Sequence, residues 1–520
     1  MSSDNAPTTS GGRRTAGALA GLIAAGVALG VAELVSAFID PKSSPVVAVG
    51  GSVIDATPQW LKQFAIEQFG TNDKPVLIGS IVVVLVLLAL LTGTLAVRRP
   101  AVGLAGVAVL GAVGAVAATT RPAAAALAFL PSVVGALVGA VALLMLLRTL
   151  RTPTAGAVPS SQAVSGFDRR AFLASSLGAV AVAGVAGGVG RMVRGGSDVA
   201  ASRAAVTLPR PVSPARTVPA DAELGVDGLS SFRTPSKGFY RVDTALIVPQ
   251  VSAQTWKLRV HGMVDREIEL TFDQLLQRGL IERDITLTCV SNEVGGPYVG
   301  SARWLGAPLA DLLREAGVHK AADQIVSKST DGMTIGTPTA VIMDGRDAML
   351  AVGMNGKPLP AEHGFPVRMV VPGLYGYVSA TKWLVDIEAT TFADNRPYWV
   401  KRGWAVKAPI KTMSRIDTPR PLGRLTAGKV PVAGVAWAQH RGISKVEVRV
   451  DGGRWNNARL AGVPTADTWL QWVWDWDATR GQHTLEVRAT DRTGAVQPEK
   501  RANPFPSGAS GWHSTVVSVA

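Results

Sequence analysis

Two kinds of patterning divide the chain. Before about residue 195 apolar residues run almost unbroken; beyond it charges recur every few positions among prolines, glycines and alternating apolar residues. Segments 15–38, 75–97, 101–119 and 123–147 are long apolar runs, each about the length needed to cross roughly 30 Å of hydrocarbon. They predict four transmembrane helices. If the spans alternate, Arg13 and Arg14, Arg98 and Arg99, and Arg148 and Arg151 all fall on one side. The excess of basic residues in cytoplasmic loops puts these pairs and the N-terminus inside, and the loop 39–74 outside.

A Pro/Ser/Gly-rich stretch follows, then GFDRRAFLASSLGAVAVAGVAGGVG, so that 151–195 holds a fifth apolar helix. Arg169 and Arg170 ahead of Phe172, Leu173 and a weakly hydrophobic helix are similar to a twin-arginine export signal, here internal. Flanking charge alone would also explain the pair. Both readings send the remainder across the cytoplasmic membrane, giving a multi-pass protein with an extracytoplasmic main domain. Residues 196–235, with Pro209, Pro211, Pro214 and Pro219, read as an extended linker.

The region 236–400 reads as mixed α/β, with strands at TWKLRVHG and DITLTCV and helices at TFDQLLQRG and APLADLLREAG. From 401 to 520 the period changes to two. KVEVRVDGG sets Val446, Val448 and Val450 against Lys445, Glu447 and Arg449, and HTLEVRATD repeats the alternation with Leu485 and Val487. Strands of this kind between turn signals predict a small β-sandwich.

Composition narrows the function. The 47% hydrophobic fraction agrees with residence partly in lipid. The net charge of +14 is spread along the polar half, without the basic stripe interleaved with aromatics that nucleic-acid binding needs. A basic pocket for a small anion fits better. One cysteine in 520 residues leaves no all-cysteine iron–sulfur cluster, no Cys-only zinc site and no CxxCH haem attachment. All six histidines lie beyond residue 195, which argues against bis-histidine haem between the spans. Any electrons must leave to a separate carrier, a cytochrome or a quinone-linked protein.

Cys289 ends the strand-like run TLTCVSNEVGG. A lone cysteine is commonly an inert buried residue, but a thiolate is also a soft ligand for a transition metal. HGFPVRMVVPGLYGYVSATKW places His363, Arg368 and Lys382 among Gly364, Gly373 and Gly376. Glycines admit a ligand close to the backbone, and Arg and Lys supply fork and point charges for phosphate. Upstream, GFYRVDT adds Tyr240 and Arg241. Each stretch alone would pass for a turn-rich surface.

In their order, FYR, TC followed by SNEVGG, RWLGAPLADLLREAG, NGKPLP, HGFPVR and KW, these motifs resemble the sulfite-oxidase family of molybdopterin enzymes over residues 236–520. The resemblance implies a multidomain chain: an N-terminal α-helical transmembrane bundle, an α+β molybdopterin domain and a C-terminal immunoglobulin-like β-sandwich of the dimerisation type, with homodimerisation through it. It implies molybdenum held by one pyranopterin dithiolene and by Cys289. By position, Tyr240, Arg241, Thr330, His363, Arg368, Ser379, Thr381 and Lys382 match cofactor contacts. In AWAQHRG, Arg441 matches an arginine sent into the family's active site, with His440 the neighbouring alternative. Cys289, Arg241 and Arg441 would carry catalysis.

The implied chemistry is oxygen-atom transfer on a small sulfur oxyanion or related substrate. Where sulfite oxidases carry a basic pair shortly after the ligand cysteine, this chain has Glu293 and Val294. That keeps an S-oxide or N-oxide reductase, of the methionine sulfoxide type, as an alternative. A non-catalytic surface binding protein is the rival from another class.

Overall fold

The computed structural model describes residues 9–150, apart from scattered positions between 59 and 72 and position 123, then 169–193 and 197–520. The chain forms two compact units, one of residues 1–196 with 245–247, the other of the remainder. The Pro/Ser/Gly-rich stretch between the fourth and fifth apolar segments lies outside the described residues.

The first unit is helical. Its elements are α1 (Thr9–Ile39), α2 (Pro45–Ala56), α3 (Asp73–Arg98), α4 (Pro100–Thr119), α5 (Leu130–Thr149) and α6 (Arg169–Val193). All except α2 are long and apolar enough to cross a membrane. Small residues set their spacing: Gly21 and Gly93 face one another so closely that a methyl group on either would strike the opposite backbone. Two expectations are corrected. The span expected from 123 begins at Leu130, with Pro131 in its first turn and turns over 126–129, because proline needs no N–H there. The loop 39–74 contains α2, begun by Pro45 after Ser44.

The second unit begins with a helix where a linker was expected. α7 (Ser197–Ala205) is tied down by Arg203, which donates to the Leu359 and Pro358 carbonyls at 2.7 and 2.8 Å, and by Ser202, which donates to Gln254 Oε1 at 2.6 Å. These bonds depend on partners more than 50 residues away, so local composition carried no sign of them.

The region to about residue 400 contains two sheets. One has the order β2-β1-β10-β5-β6, from β1 (Lys257–Gly262), β2 (Ile268–Thr271), β5 (Gln324–Ser329), β6 (Thr334–Pro338) and β10 (Leu384–Thr390). The other has the order β3-β4-β7-β8, from β3 (Ile281–Thr288), β4 (Val299–Pro308), β7 (Met349–Met354) and β8 (Lys357–Pro358), with β9 (Arg368–Val370) also on β7. The helix expected at TFDQLLQRG is the short α8 (Phe272–Leu276), opened by a reciprocal capping box between Thr271 and Gln274. APLADLLREAG gives α9 (Leu309–Ala316), which buries Leu309, Leu312, Leu313 and Ala316 at helical spacing and stops at Gly317, φ 68°.

The last part is two sheets of largely antiparallel strands around a shared core. One has the order β11-β13-β17-β16, from β11 (Met413–Thr418), β13 (Gly428–Trp437), β16 (Arg459–Leu460) and β17 (Leu470–Ala478). The other has the order β12-β19-β18-β14-β15, from β12 (Arg424–Leu425), β14 (Ile443–Val450), β15 (Asn456–Asn457), β18 (Gly481–Asp491) and β19 (His513–Val519). Val432 and Trp472 from the first meet Val446, Val448, Leu485 and Val487 from the second, the inward positions of period-two strands.

Candidate active site

Cys289 lies just past the end of β3, held by its N–H donating to the Tyr298 carbonyl at 2.9 Å. Its side chain is 8% exposed and lines a cavity together with Tyr240, Asp243, His363, Arg368, Thr381 and Lys382. Three distant sequence stretches therefore converge on one hollow. β3 and β9 lie in the same sheet, while the stretches around Asp243 and Lys382 complete the lining.

Burial governs the electrostatics. It pushes the Cys289 thiol up, with hydrogen bonding to Ser291 and the charge of Lys382 working the other way. Lys382 is brought down to about 8, first by burial and then against the pull of Asp243, whose Oδ2 accepts from its Nζ at 2.7 Å. Burial also lowers His363 to about 4, assisted by Arg368, so the ring is neutral. Its Nε2 lies 3.0 Å from the Ser236 carbonyl; a carbonyl only accepts, so that nitrogen carries the hydrogen.

Arg368 is 5% exposed, and burial draws it down to about 10. Its guanidinium donates to the His363 carbonyl at 3.2 Å and the Ala380 carbonyl at 3.4 Å, and lies 5.0 Å from the Trp304 ring centroid. Its Nε is buried without a hydrogen-bond partner, and among the described residues no carboxylate forms an ion pair with it. A buried cation without a counter-charge is costly unless an anion joins it. Gly364, φ 107°, permits the crowding: its Cα side faces the Cβ atoms of Lys382 and Arg368, which a methyl there would meet at 3.0 and 3.1 Å.

The remaining expected residues are placed differently. Thr381 lines the cavity and shares a 2.6 Å hydrogen bond with Ser327. Thr330 stands between the lining residues Ser329 and Asp331, its N–H bonded to the Trp383 carbonyl. Ser379 is fully buried and turns its hydroxyl to the Leu374 and Tyr375 carbonyls. Arg241 is outside the lining and donates to Asp243 at 2.8 Å. Arg441 is also outside it, bonded to Asp491 at 2.8 Å and to the Ile410 carbonyl at 3.0 Å. Its neighbour His440 hydrogen-bonds Asp467 at 3.3 Å.

Arg441 and Cys289 nevertheless act on one group. Burial raises the Tyr375 phenol to about 12; a Cys289 thiolate adds to the rise and Arg441 opposes it. Three features escaped the sequence reading: Asp243, Tyr375 and an aromatic wall of Tyr377, Trp399 and Trp404, in mutual contact at 5.7 and 6.2 Å between ring centroids. Asp243 was legible in principle, because in an extended segment positions 241 and 243 point the same way.

Among the described residues no three His, Cys, Asp or Glu side chains gather as a metal site. Cys289 could thus supply one ligand to a metal whose other ligands come with a cofactor. The donors suit a pterin phosphate: Arg368 without a carboxylate, Lys382, a neutral His363 and glycine-lined backbone.

Comparison with known proteins identifies a family. The oxidoreductase molybdopterin binding domain family matches residues 245–399. The sulfite oxidase of Gallus gallus is 30% identical over 320 residues, covering 52% of this chain and 69% of that protein. The mitochondrial sulfite oxidase of Mus musculus is 30% identical over 341 residues, covering 55% of this chain and 61% of the mouse protein, so the chain spans about three fifths of that relative. Among solved structures, the sulfane dehydrogenase SoxCD from Paracoccus pantotrophus aligns over 57% of this chain and 85% of that chain, at 25% identity and a TM-score of 0.49.

Proposed function

Because the chain belongs to the sulfite-oxidase family of molybdopterin oxidoreductases, we propose that it is a membrane-anchored enzyme of oxygen-atom transfer with Cys289 on its molybdenum. The observation that carries the reading is the buried, carboxylate-free guanidinium of Arg368 in the same cavity as Cys289. Arg368 and Lys382 would pair with the pterin phosphate by charge-assisted hydrogen bonds. Neutral His363 and Tyr240 would line its ring system, and Thr381, with the backbone at Thr330 and Ser379, would close the cradle. The molybdenum–pterin group supplies two-electron exchange of an oxygen atom with substrate; the protein binds, orients and excludes water.

The substrate is a small sulfur oxyanion or a related oxo compound. Arg241 and Arg441 would meet an anion only after sharing their charge with Asp243 and Asp491. That partial neutralisation, with the wall of Tyr377, Trp399 and Trp404, favours a second reading in which a neutral S-oxide or N-oxide is reduced. Electrons pass to or from a separate carrier. The five apolar helices support anchoring, and the arginine pairs support an extracytoplasmic catalytic unit. The immunoglobulin-like sandwich would join two copies.

The test is metal and pterin analysis of purified full-length protein, followed by turnover of sulfite with a one-electron acceptor and of methyl sulfoxides with a reduced dye. Molybdenum at one per chain with either turnover supports the reading. Loss of both from metal-loaded protein would refute it.

A further inference from the structure

β3, which leads into Cys289, is the last strand of its sheet, so one edge of its backbone lacks a strand partner. That edge is closed by other parts of the same unit. At its start the Glu282 N–H donates to the Ser213 carbonyl at 2.9 Å. At its end the sandwich takes over: the Thr286 N–H donates to the Asp467 carbonyl at 2.9 Å, and the Trp469 N–H donates to Thr286 Oγ1 at 2.8 Å. Gln439 Nε2 completes the set, donating to the Thr286 carbonyl at 3.1 Å and to Thr288 Oγ1 at 3.0 Å.

Gln439 is fully buried. The Thr286 carbonyl can only accept, which fixes the amide nitrogen toward β3. Among the described residues its Oε1 is left buried without a hydrogen-bond partner, so the side chain sacrifices one polar atom to hold the strand with the other. The sandwich also grips the loop beyond the cysteine. Arg415 donates to the Gly296 carbonyl at 2.8 Å, and the His513 ring packs against Gly295. Cys289 is therefore clamped from both sides by groups of the sandwich that, from Met413 onward, do not line its cavity.

We propose that Gln439 is a positioning residue for the Cys289 thiolate, holding through Thr286 and Thr288 the end of the strand that carries the sulfur; this rests on Cys289 being the metal ligand. A side chain next to a ligand's strand that holds it by two hydrogen bonds affects metal chemistry as an outer-shell group does. The effect should appear in the electronics of the metal–sulfur bond before it appears in cofactor content.

The experiment compares Gln439→Met, Thr288→Val and Cys289→Ser in the full-length, molybdenum-loaded protein. Gln439→Met should keep pterin and metal, shift the thiolate-to-molybdenum absorption band and lower kcat about tenfold, with KM nearly unchanged. Thr288→Val, which removes one acceptor at constant volume, should shift the band the same way by less. An unshifted band and unchanged kcat in Gln439→Met, with the band lost in Cys289→Ser, overturns the positioning role alone. Persistence of the band in Cys289→Ser overturns the ligand assignment on which it rests. If Gln439→Met does not load with metal, Thr288→Val decides: an unshifted band there refutes the proposal.

Discussion

Lys382 and Arg241 share one carboxylate oxygen: Asp243 Oδ2 accepts from Lys382 Nζ at 2.7 Å and from Arg241 Nε at 2.8 Å. The cavity's mobile charge is thus set by an acid two residues from an arginine. Lys382 titrates near 8, below its ordinary value, so it is cationic below that pH and neutral above it. Phosphate affinity of cofactor-depleted protein should fall as pH rises through about 8, by at most about tenfold per pH unit. Asp243→Asn removes a carboxylate that raises the lysine and should move the fall to lower pH. Calorimetric titration with inorganic phosphate from pH 6.5 to 9.5 measures both, and a flat profile would contradict the assignment.

Cys289→Ser exchanges a soft thiolate for a hard hydroxyl at nearly constant volume. Turnover should drop at least about a hundredfold, while pterin, held by Arg368 and Lys382 through other atoms, stays bound. Cofactor extraction and steady-state assay on the same preparation check this. Full activity in the mutant would remove the basis of the proposed chemistry.

Arg368→Met should separate stability from function. Replacing a buried, carboxylate-free cation with an apolar side chain of similar length removes a desolvation cost, so cofactor-depleted protein should be as stable as the parent or more so by about 1 kcal/mol. Pterin retention should be lost. Denaturant melts and pterin fluorescence read the two effects, and a destabilised mutant that keeps its pterin would contradict the phosphate role.

His363 and His513 are both held down to about 4 by burial, below the unfolded value near 6.5. The unfolded chain therefore takes up protons before the folded one, and stability should fall as pH drops from about 6.5 toward 4. Chemical unfolding at pH 7, 6, 5 and 4.5 should show that decline in cofactor-depleted protein. His363→Gln should make it shallower; an unchanged slope would mean that other groups cause it.

A reporter active only in the cytoplasm, fused after Ala520, should be silent. Arg169→Lys with Arg170→Lys should trap the catalytic unit inside if the pair acts as a twin-arginine signal, and leave export unchanged if it only supplies flanking charge.

Where the chemistry was local, the sequence was readable. Period-two alternation at 445–450 and 483–491 became β14 and β18, and HGFPVR placed His363 and Arg368 on one wall. What it hid was pairing at a distance. AWAQHRG nominates Arg441 as an arginine sent into the active site, but nothing in the motif showed its bond to Asp491, fifty residues on. Ser379 reads as a cofactor contact, and nothing in the motif showed that its hydroxyl also donates to the Leu374 and Tyr375 carbonyls of its own turn. The proline-rich stretch read as a spacer, yet Ser213 lies along the edge of β3. In each case the deciding partner is a backbone atom or a carboxylate with no sequence mark of its role.

The closed edge of β3 also orders events in time. A ribosome releases residues 281–289 well before residues 439, 467 and 469, so the strand that carries the cysteine emerges long before the groups that complete its edge. The site cannot reach its final shape until residue 469 has been made. A chain truncated before residue 439 therefore lacks all of these partners, and the 286–288 end of β3 is left open beside the cysteine.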